Sequence, residues 1–207
     1  MDGDGARIRR YRSGDLDDLY RICLLTADSG QDATSLFRDP RLPGHLFAAP
    51  YGVFEPSLAF VAVDAAGVGG YIVGALDSQA FESRLDSDWW PALRRRYRDP
   101  PPEAAGDPWT REQRMAHHIH HPLRTTDELA SRYPSHLHIN LVPRLQGRGQ
   151  GRLLMNTLIE ALRSRGSRGV HLHVSSGNDR AAAFYPHLGF SRLSVGDARV
   201  FGLELAG

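Results

Sequence analysis

Apolar and polar positions change period several times along the chain, and each change marks an element. Arg7 to Tyr11 reads as a first strand. From about Asp15 to Ala27, Leu16, Leu19, Tyr20, Cys23 and Leu24 recur at helical spacing, with Ser13 placed to cap that helix. Residues 28–56 are loop-rich, with a short helix near His45–Tyr51. The unbroken run Leu58 to Val63 is a buried-type strand; Asp64 to Gly67 is a hairpin turn and Gly69 to Leu76 the returning strand. Residues 81–133 break this rhythm with Trp89-Trp90-Pro91, a basic helix-like stretch Ala92 to Tyr97, and Pro100-Pro101-Pro102. After them Thr110 can cap a helix reaching His121. We read 81–133 as an insertion before a fourth strand, His138 to Val142. An amphipathic helix follows over Leu153 to Leu162, apolar at Leu154, Leu158, Ile159, Ala161 and Leu162, and then a strand over Val170 to Val174. Asn178 is a good N-cap for a helix over Asp179 to Leu188; Gly189 ends it and Phe190 opens the next strand. The succession predicts a single α/β domain over 1–207, with helices flanking the sheet.

The densest signal sits between the fourth strand and the helix after it: Gln146-Gly147-Arg148-Gly149-Gln150-Gly151, then Arg152. A glycine-rich turn at a helix N-terminus points several N–H groups and a partial positive charge at one spot, which suits a phosphate or pyrophosphate. A nucleotide P-loop needs Lys-Ser/Thr after its last glycine, and Arg152-Leu153 stands there instead. A dinucleotide turn needs G-x-G-x-x-G early in the chain, whereas this one is late and reads G-x-G-x-G. The third pattern, Arg/Gln-x-x-Gly-x-Gly/Ala, is matched at every defined position.

That third pattern resembles the pyrophosphate loop of the GNAT N-acetyltransferase superfamily. A second block, Asn178 to Phe190, resembles the same superfamily's later motif N-x-x-A-x-x-F-Y-x-x-x-G-F, and it begins 27 residues after Gly151. Gly70-Tyr71, Gly74, Asp77, Phe81, Trp90-Pro91, Tyr97, Pro100 and Ser167-Arg168-Gly169 are similar to positions in the C-terminal acetyltransferase-like domain of O-GlcNAcase and its free-standing bacterial relatives. The resemblance implies a mixed, mostly antiparallel sheet splayed between the fourth and fifth strands, with the cofactor-binding core at 137–190. It implies acetyl-CoA as co-substrate and transfer of its acetyl group to a peptide or small-molecule amine; the alternative it allows is a non-catalytic module that binds acetyl-CoA or a partner.

Composition narrows the partners. The net charge of +1 gives no global case for nucleic acid, and no run of about 18 apolar residues suggests a membrane span. Charge is uneven: from Leu137 onward there are nine arginines and four acidic residues, net +5, and before it the balance is −4. That suits a polyanionic co-substrate on the C-terminal part. A lone cysteine, Cys23, allows no internal disulfide and fits a reducing cytoplasm; its apolar-face position marks it as core. All 25 basic residues are arginine, so a Schiff-base lysine is excluded. The expected assembly is a monomer or homodimer.

The resemblance also distributes roles. The backbone of Asn140, Leu141 and Val142 would bond the pantetheine arm and the thioester carbonyl. Gln146 to Gly151 would hold the pyrophosphate, with Arg148 and Arg152 as further charge partners and Asn178 on the cofactor arm. Phe184 and Tyr185 fall in the later motif, where the tyrosine lies near the sulfur. A phenol with a pKa near 10 is protonated at neutral pH and can donate to a departing thiolate, which makes Tyr185 the expected general acid. For the base, Asp77 leads, with strand-end capping as its plainer role; His138, on the same strand face as Asn140, His120 and a water relay stay open. His117 and His121 are i, i+4 on a helix, but Glu does not follow the first histidine and no third ligand is evident, so no metal is expected. Phe81, Trp89, Trp90 and Tyr97 suit packing of the insertion better than an acceptor pocket.

Overall fold

The computed structural model describes residues 6–104 and 106–205. Strand β1 (Arg7–Arg10) leads through a tight turn into α1 (Leu16–Leu24). Ser13 is not the cap. Asp15 organises the turn instead, accepting the Arg12 N–H at 2.8 Å and pairing with Arg9 at 2.6 Å. Two short helices, α2 (Leu42–Phe47) and α3 (Ala49–Phe54), replace the single one expected; each carries a proline in its first turn, where a missing N–H costs nothing. Strands β2 (Ala59–Asp64) and β3 (Gly67–Ala75) form the antiparallel hairpin.

Residues 81–133 are mostly helical: α4 (Ser78–Asp88), α5 (Trp90–Arg96), α6 (Arg111–His120) and α7 (Asp127–Arg132). Thr110 caps α6 as expected, and Thr126 caps the unforeseen α7. Then come β4 (Ser135–Leu141), α8 (Gln150–Arg163), β5 (Gly169–His173), α9 (Asp179–Phe184) and the hairpin β6 (Ser191–Val195) with β7 (Ala198–Glu204). The seven strands form one sheet in the order β1-β2-β3-β4-β5-β7-β6. Every pairing is antiparallel except β4 with β5, which is parallel and limited to Ser135↔Val170 and His136↔His171. Beyond those two pairs the neighbouring strands separate.

Two apolar layers cover the sheet. Leu19 and Ile22 of α1, Tyr71 of β3 and Ile119 of α6 belong to one. Phe81 and Trp90 join it, so these aromatics pack the helical segment onto the sheet. Cys23 lies in the same layer, and burial pushes its thiol up to about 12, which leaves it inert. Leu154, Leu158 and Leu162 of α8 fill the other layer against Leu137 and Leu172. Fully burying each such leucine contributes roughly 1.5–3 kcal/mol. Packing therefore holds α8 in place, and its N-terminus needs no side-chain cap; none is present.

Candidate functional site

The separation of β4 from β5 exposes backbone that a closed sheet would use. In an antiparallel pair alternate residues direct both N–H and C=O to the same neighbour. Val142 N–H donates to Gly69 at 2.9 Å, and the register continues as Tyr71↔Asn140 and Val73↔His138. Asn140 and Val142 thus spend their backbone groups on β3. Ile139 and Leu141 point theirs into the gap. Of the three residues expected to offer backbone to a ligand, Asn140 and Val142 bond β3 and only Leu141 directs its N–H into the gap, where Ile139 joins it. The Asn140 side chain instead donates to Thr26 Oγ1 at the end of α1.

The glycine turn stands at the mouth of the gap. Gly147 and Gly149 adopt φ of 71° and 77°, a conformation that costs a non-glycine residue roughly 1–2 kcal/mol. A Cβ on either would meet nothing within 4 Å, so both face open space. Gly149 is the N-cap of α8, whose first-turn N–H groups aim into the same space. Gln146 closes the turn: its Nε2 donates to Leu141 O at 2.7 Å, and Arg180 donates to its Oε1 at 2.6 Å. Arg148 and Arg152 are exposed, and Arg152 reaches His187 O at 3.3 Å. Gln150 differs from expectation. Its side chain is buried with Oε1 unpartnered, so only its backbone N–H can serve the turn. At Gly151 a Cβ would lie 3.3 Å from Phe184 Cζ, so the bare backbone lets α9 close on α8. Asn178 caps α9 through Ala181 N–H at 3.0 Å, and its Nδ2 would lie 3.8 Å from a Cβ at Gly30.

Tyr185 follows α9 directly and lies in the α8-side layer, its ring 5.5 Å from Phe201 and 5.7 Å from Phe190. Its hydroxyl has no hydrogen-bond partner among the described residues. Burial raises its pKa above the usual phenol value, so it stays protonated across the working range.

On the opposite face, the even positions of β4 meet the odd positions of β5. His136 and His138 stand beside His171 and His173, with adjacent ring centroids 5.8–6.3 Å apart. Together with Tyr51, Phe81, Trp90 and His118 they line a cavity of about 160 Å³. The hydrogen bonds fix the tautomers of two of them. Ser78 Oγ donates to Pro134 O at 2.7 Å, so it accepts from His136 Nδ1–H at 2.8 Å, and His136 Nε2 accepts from the Tyr51 hydroxyl at 2.7 Å. His171 Nδ1–H donates to Tyr133 O at 2.8 Å. His138 makes no such bond and stands against the rings of Phe47, Tyr51 and His136. Enclosure holds its pKa down at about 3, so the imidazole is neutral.

The other expected bases lie elsewhere. Asp77 is exposed, caps α4 through Ala80 N–H at 3.0 Å, and does not line the cavity. His120 Nε2–H is turned to Tyr97 O at 2.8 Å. It is His118, two positions earlier on α6, that reaches the cavity. The signal for the histidine floor was present in the sequence as two H-x-H pairs, His136-Leu137-His138 and His171-Leu172-His173, whose period of two puts both members on one strand face.

Comparison with known proteins points the same way. A model of the acetyltransferase (GNAT) family matches residues 90–190. The chain is 25% identical over 189 residues to protein O-GlcNAcase of Rattus norvegicus, a match covering 88% of this chain but only 20% of that protein. It is 45% identical over 53 residues to mycothiol acetyltransferase of Beutenbergia cavernae, covering 26% of this chain and 18% of that one. Among solved structures, the crystal structure of SsHAT superposes with a TM-score of 0.86 at 36% identity, over 98% of this chain and 100% of that one. Among the described residues no helix is long and apolar enough to cross a membrane.

Proposed function

Since the chain belongs to the GNAT acetyltransferase family, we propose that it moves an acetyl group from acetyl-CoA to an amine acceptor, with the co-substrate in the β4–β5 gap and the amine entering through the histidine-lined cavity. The observation that carries this reading is the pair of N–H groups that β4 directs away from β3, those of Ile139 and Leu141, leading from the glycine turn toward that cavity. Amides Gly147 to Gly151 and the α8 terminus suit the pyrophosphate. In this reading the Ile139 or Leu141 N–H polarises the thioester carbonyl. The amine lone pair attacks that carbonyl carbon, the C–S bond breaks, and the thiolate leaves with the electron pair. Tyr185 gives the thiolate its proton as general acid, and its buried neutral phenol supports that role.

In this reading His138 accepts a hydrogen bond from the amine and orients it, and water takes the proton, because an imidazole held at about 3 cannot keep one at neutral pH. Of the histidines facing the cavity on β4, it is the one with a free neutral imidazole, two residues and about 7 Å along the strand from Asn140. His136 is spent on Tyr51 and Ser78. The cavity, about 160 Å³, is smaller than the roughly 300–1,000 Å³ of most small-molecule sites, so it suits the amine-bearing end of an acceptor. Its lining is largely aromatic and imidazole, with Glu82 and Arg124 as its charged members, so an amine held among the rings is favoured in its neutral form.

The test is acetyl-CoA turnover across a panel of peptide, amino-sugar and small-metabolite amines, read by free thiol. Thiol release above the no-acceptor background with at least one amine supports the enzyme. Background release alone, in protein shown to bind acetyl-CoA, would favour a non-catalytic acetyl-CoA-binding or partner-recognition module.

A further inference from the structure

The i, i+4 histidine pair on α6 has no third ligand near it in sequence, but the fold supplies one. Asp99, 18 residues before His117, lies in the segment that leaves α5. Its Oδ1 is 2.9 Å from His117 Nδ1 and its Oδ2 is 2.6 Å from His121 Nε2. One ligand atom from each of the three residues lies within 4.8 Å of the other two. Divalent zinc bound by imidazole nitrogen and carboxylate oxygen sits about 2.0–2.2 Å from each, so ligand atoms on a tetrahedral ion are about 3.3–3.6 Å apart. The cluster therefore needs only small side-chain rotations to close on an ion.

We propose that Asp99, His117 and His121 bind a divalent transition-metal ion, zinc foremost, which staples the segment 97–110 to α6. The ligand chemistry fits: two imidazoles and one carboxylate suit zinc, nickel or copper better than magnesium or calcium, which prefer oxygen alone. The surroundings fit as well. The Trp109 ring packs on His117 at 4.4 Å and its indole N–H donates to Pro101 O at 2.7 Å. The neighbouring His120 N–H holds Tyr97 O from the other side. Among the described residues of the segment 97–110 there is no helix or strand, and a clip between residues 99 and 117 would restrict a loop that otherwise stays costly to order. The three residues are absent from the lining of the histidine cavity, so the ion takes no part in acetyl transfer and the inference stands apart from that reading.

The experiment uses the full chain without an affinity tag, stripped with chelator and titrated with zinc chloride by calorimetry, with cobalt(II) absorption as a second readout. One equivalent should bind saturably at micromolar affinity or better, and the thermal midpoint should rise. Asp99→Asn keeps the carboxylate's shape and His121→Ala removes a ligand; each should weaken binding by at least about tenfold and abolish the rise. Absence of saturable binding at about 100 µM zinc overturns the site, as does binding that either substitution leaves unweakened. Binding without a rise in midpoint overturns the stapling role.

Discussion

Acid should unfold this protein through its buried histidines, and His171 allows the size of the effect to be worked out. The side chain is 1% exposed, with Nδ1–H donating to Tyr133 O at 2.8 Å. Burial, the largest influence, pushes its pKa from 6.5 down to about 4. The fold accommodates the neutral ring, whereas the unfolded chain takes up a proton near pH 6.5. The contribution of His171 is therefore complete above pH 6.5 and is lost at about 1.4 kcal/mol per unit as pH falls toward 4. At pH 5 the loss is about 2 kcal/mol, a large share of a typical 5–15 kcal/mol stability. His136 and His138 shift in the same direction and deepen the loss. The assay is urea unfolding at pH 7.5 and 5.0 for the wild type and His171→Asn, whose amide can keep the bond to Tyr133 but cannot titrate. Comparing the pH difference within each protein removes any fixed cost of the substitution and the common contribution of carboxylates. The wild type should lose about 2 kcal/mol more than the variant over that interval. Equal losses would refute the reasoning.

Four substitutions probe the chemistry. Tyr185→Phe keeps the ring and removes the proton donor; kcat should fall by about 10²–10⁴ while acetyl-CoA affinity stays within a factor of about two, by single-turnover kinetics and calorimetry. Gly149→Ala places a methyl in the open space above the turn at a φ of 77°; far-UV circular dichroism should be unchanged and acetyl-CoA binding weakened at least about tenfold. His138→Gln should lower kcat by a similar factor at neutral and high pH, because it removes a contact that orients the amine rather than the proton acceptor. Asp77→Asn keeps an equally good helix cap and should change kcat by less than about threefold; a larger loss relieved at high pH would return the base to Asp77.

The glycine turn and the Asn178 block were legible because their chemistry is local. A positive φ, an N-cap and a strand-to-helix junction are each written in a few adjacent residues, and Gly147, Gly149 and Asn178 stand where those residues predict. The start of α8 was placed three residues late because Gln150 to Arg152 carry no apolar periodicity, although α8 already begins there. Backbone direction was not legible: whether Ile139 or Asn140 faces the gap depends on the register with β3, and no property of β4 alone fixes it. The third ligand beside His117 and His121 was hidden for the same reason, since Asp99 reaches them only when its segment folds back over α6. The histidine floor was half legible. Each H-x-H pair marks one strand face, but only the parallel pairing of β4 with β5 brings the two pairs together.

The central claim is that acetyl-CoA lies along β4 in the gap left by β5, and backbone amide exchange of the full chain with and without acetyl-CoA tests it most directly. Ile139, Leu141 and the amides from Gly147 to Arg152 should slow on saturation, while Asn140 and Val142, already bonded to β3, should change little. No saturable binding at millimolar acetyl-CoA, or protection that leaves Ile139 and Leu141 untouched, would contradict it.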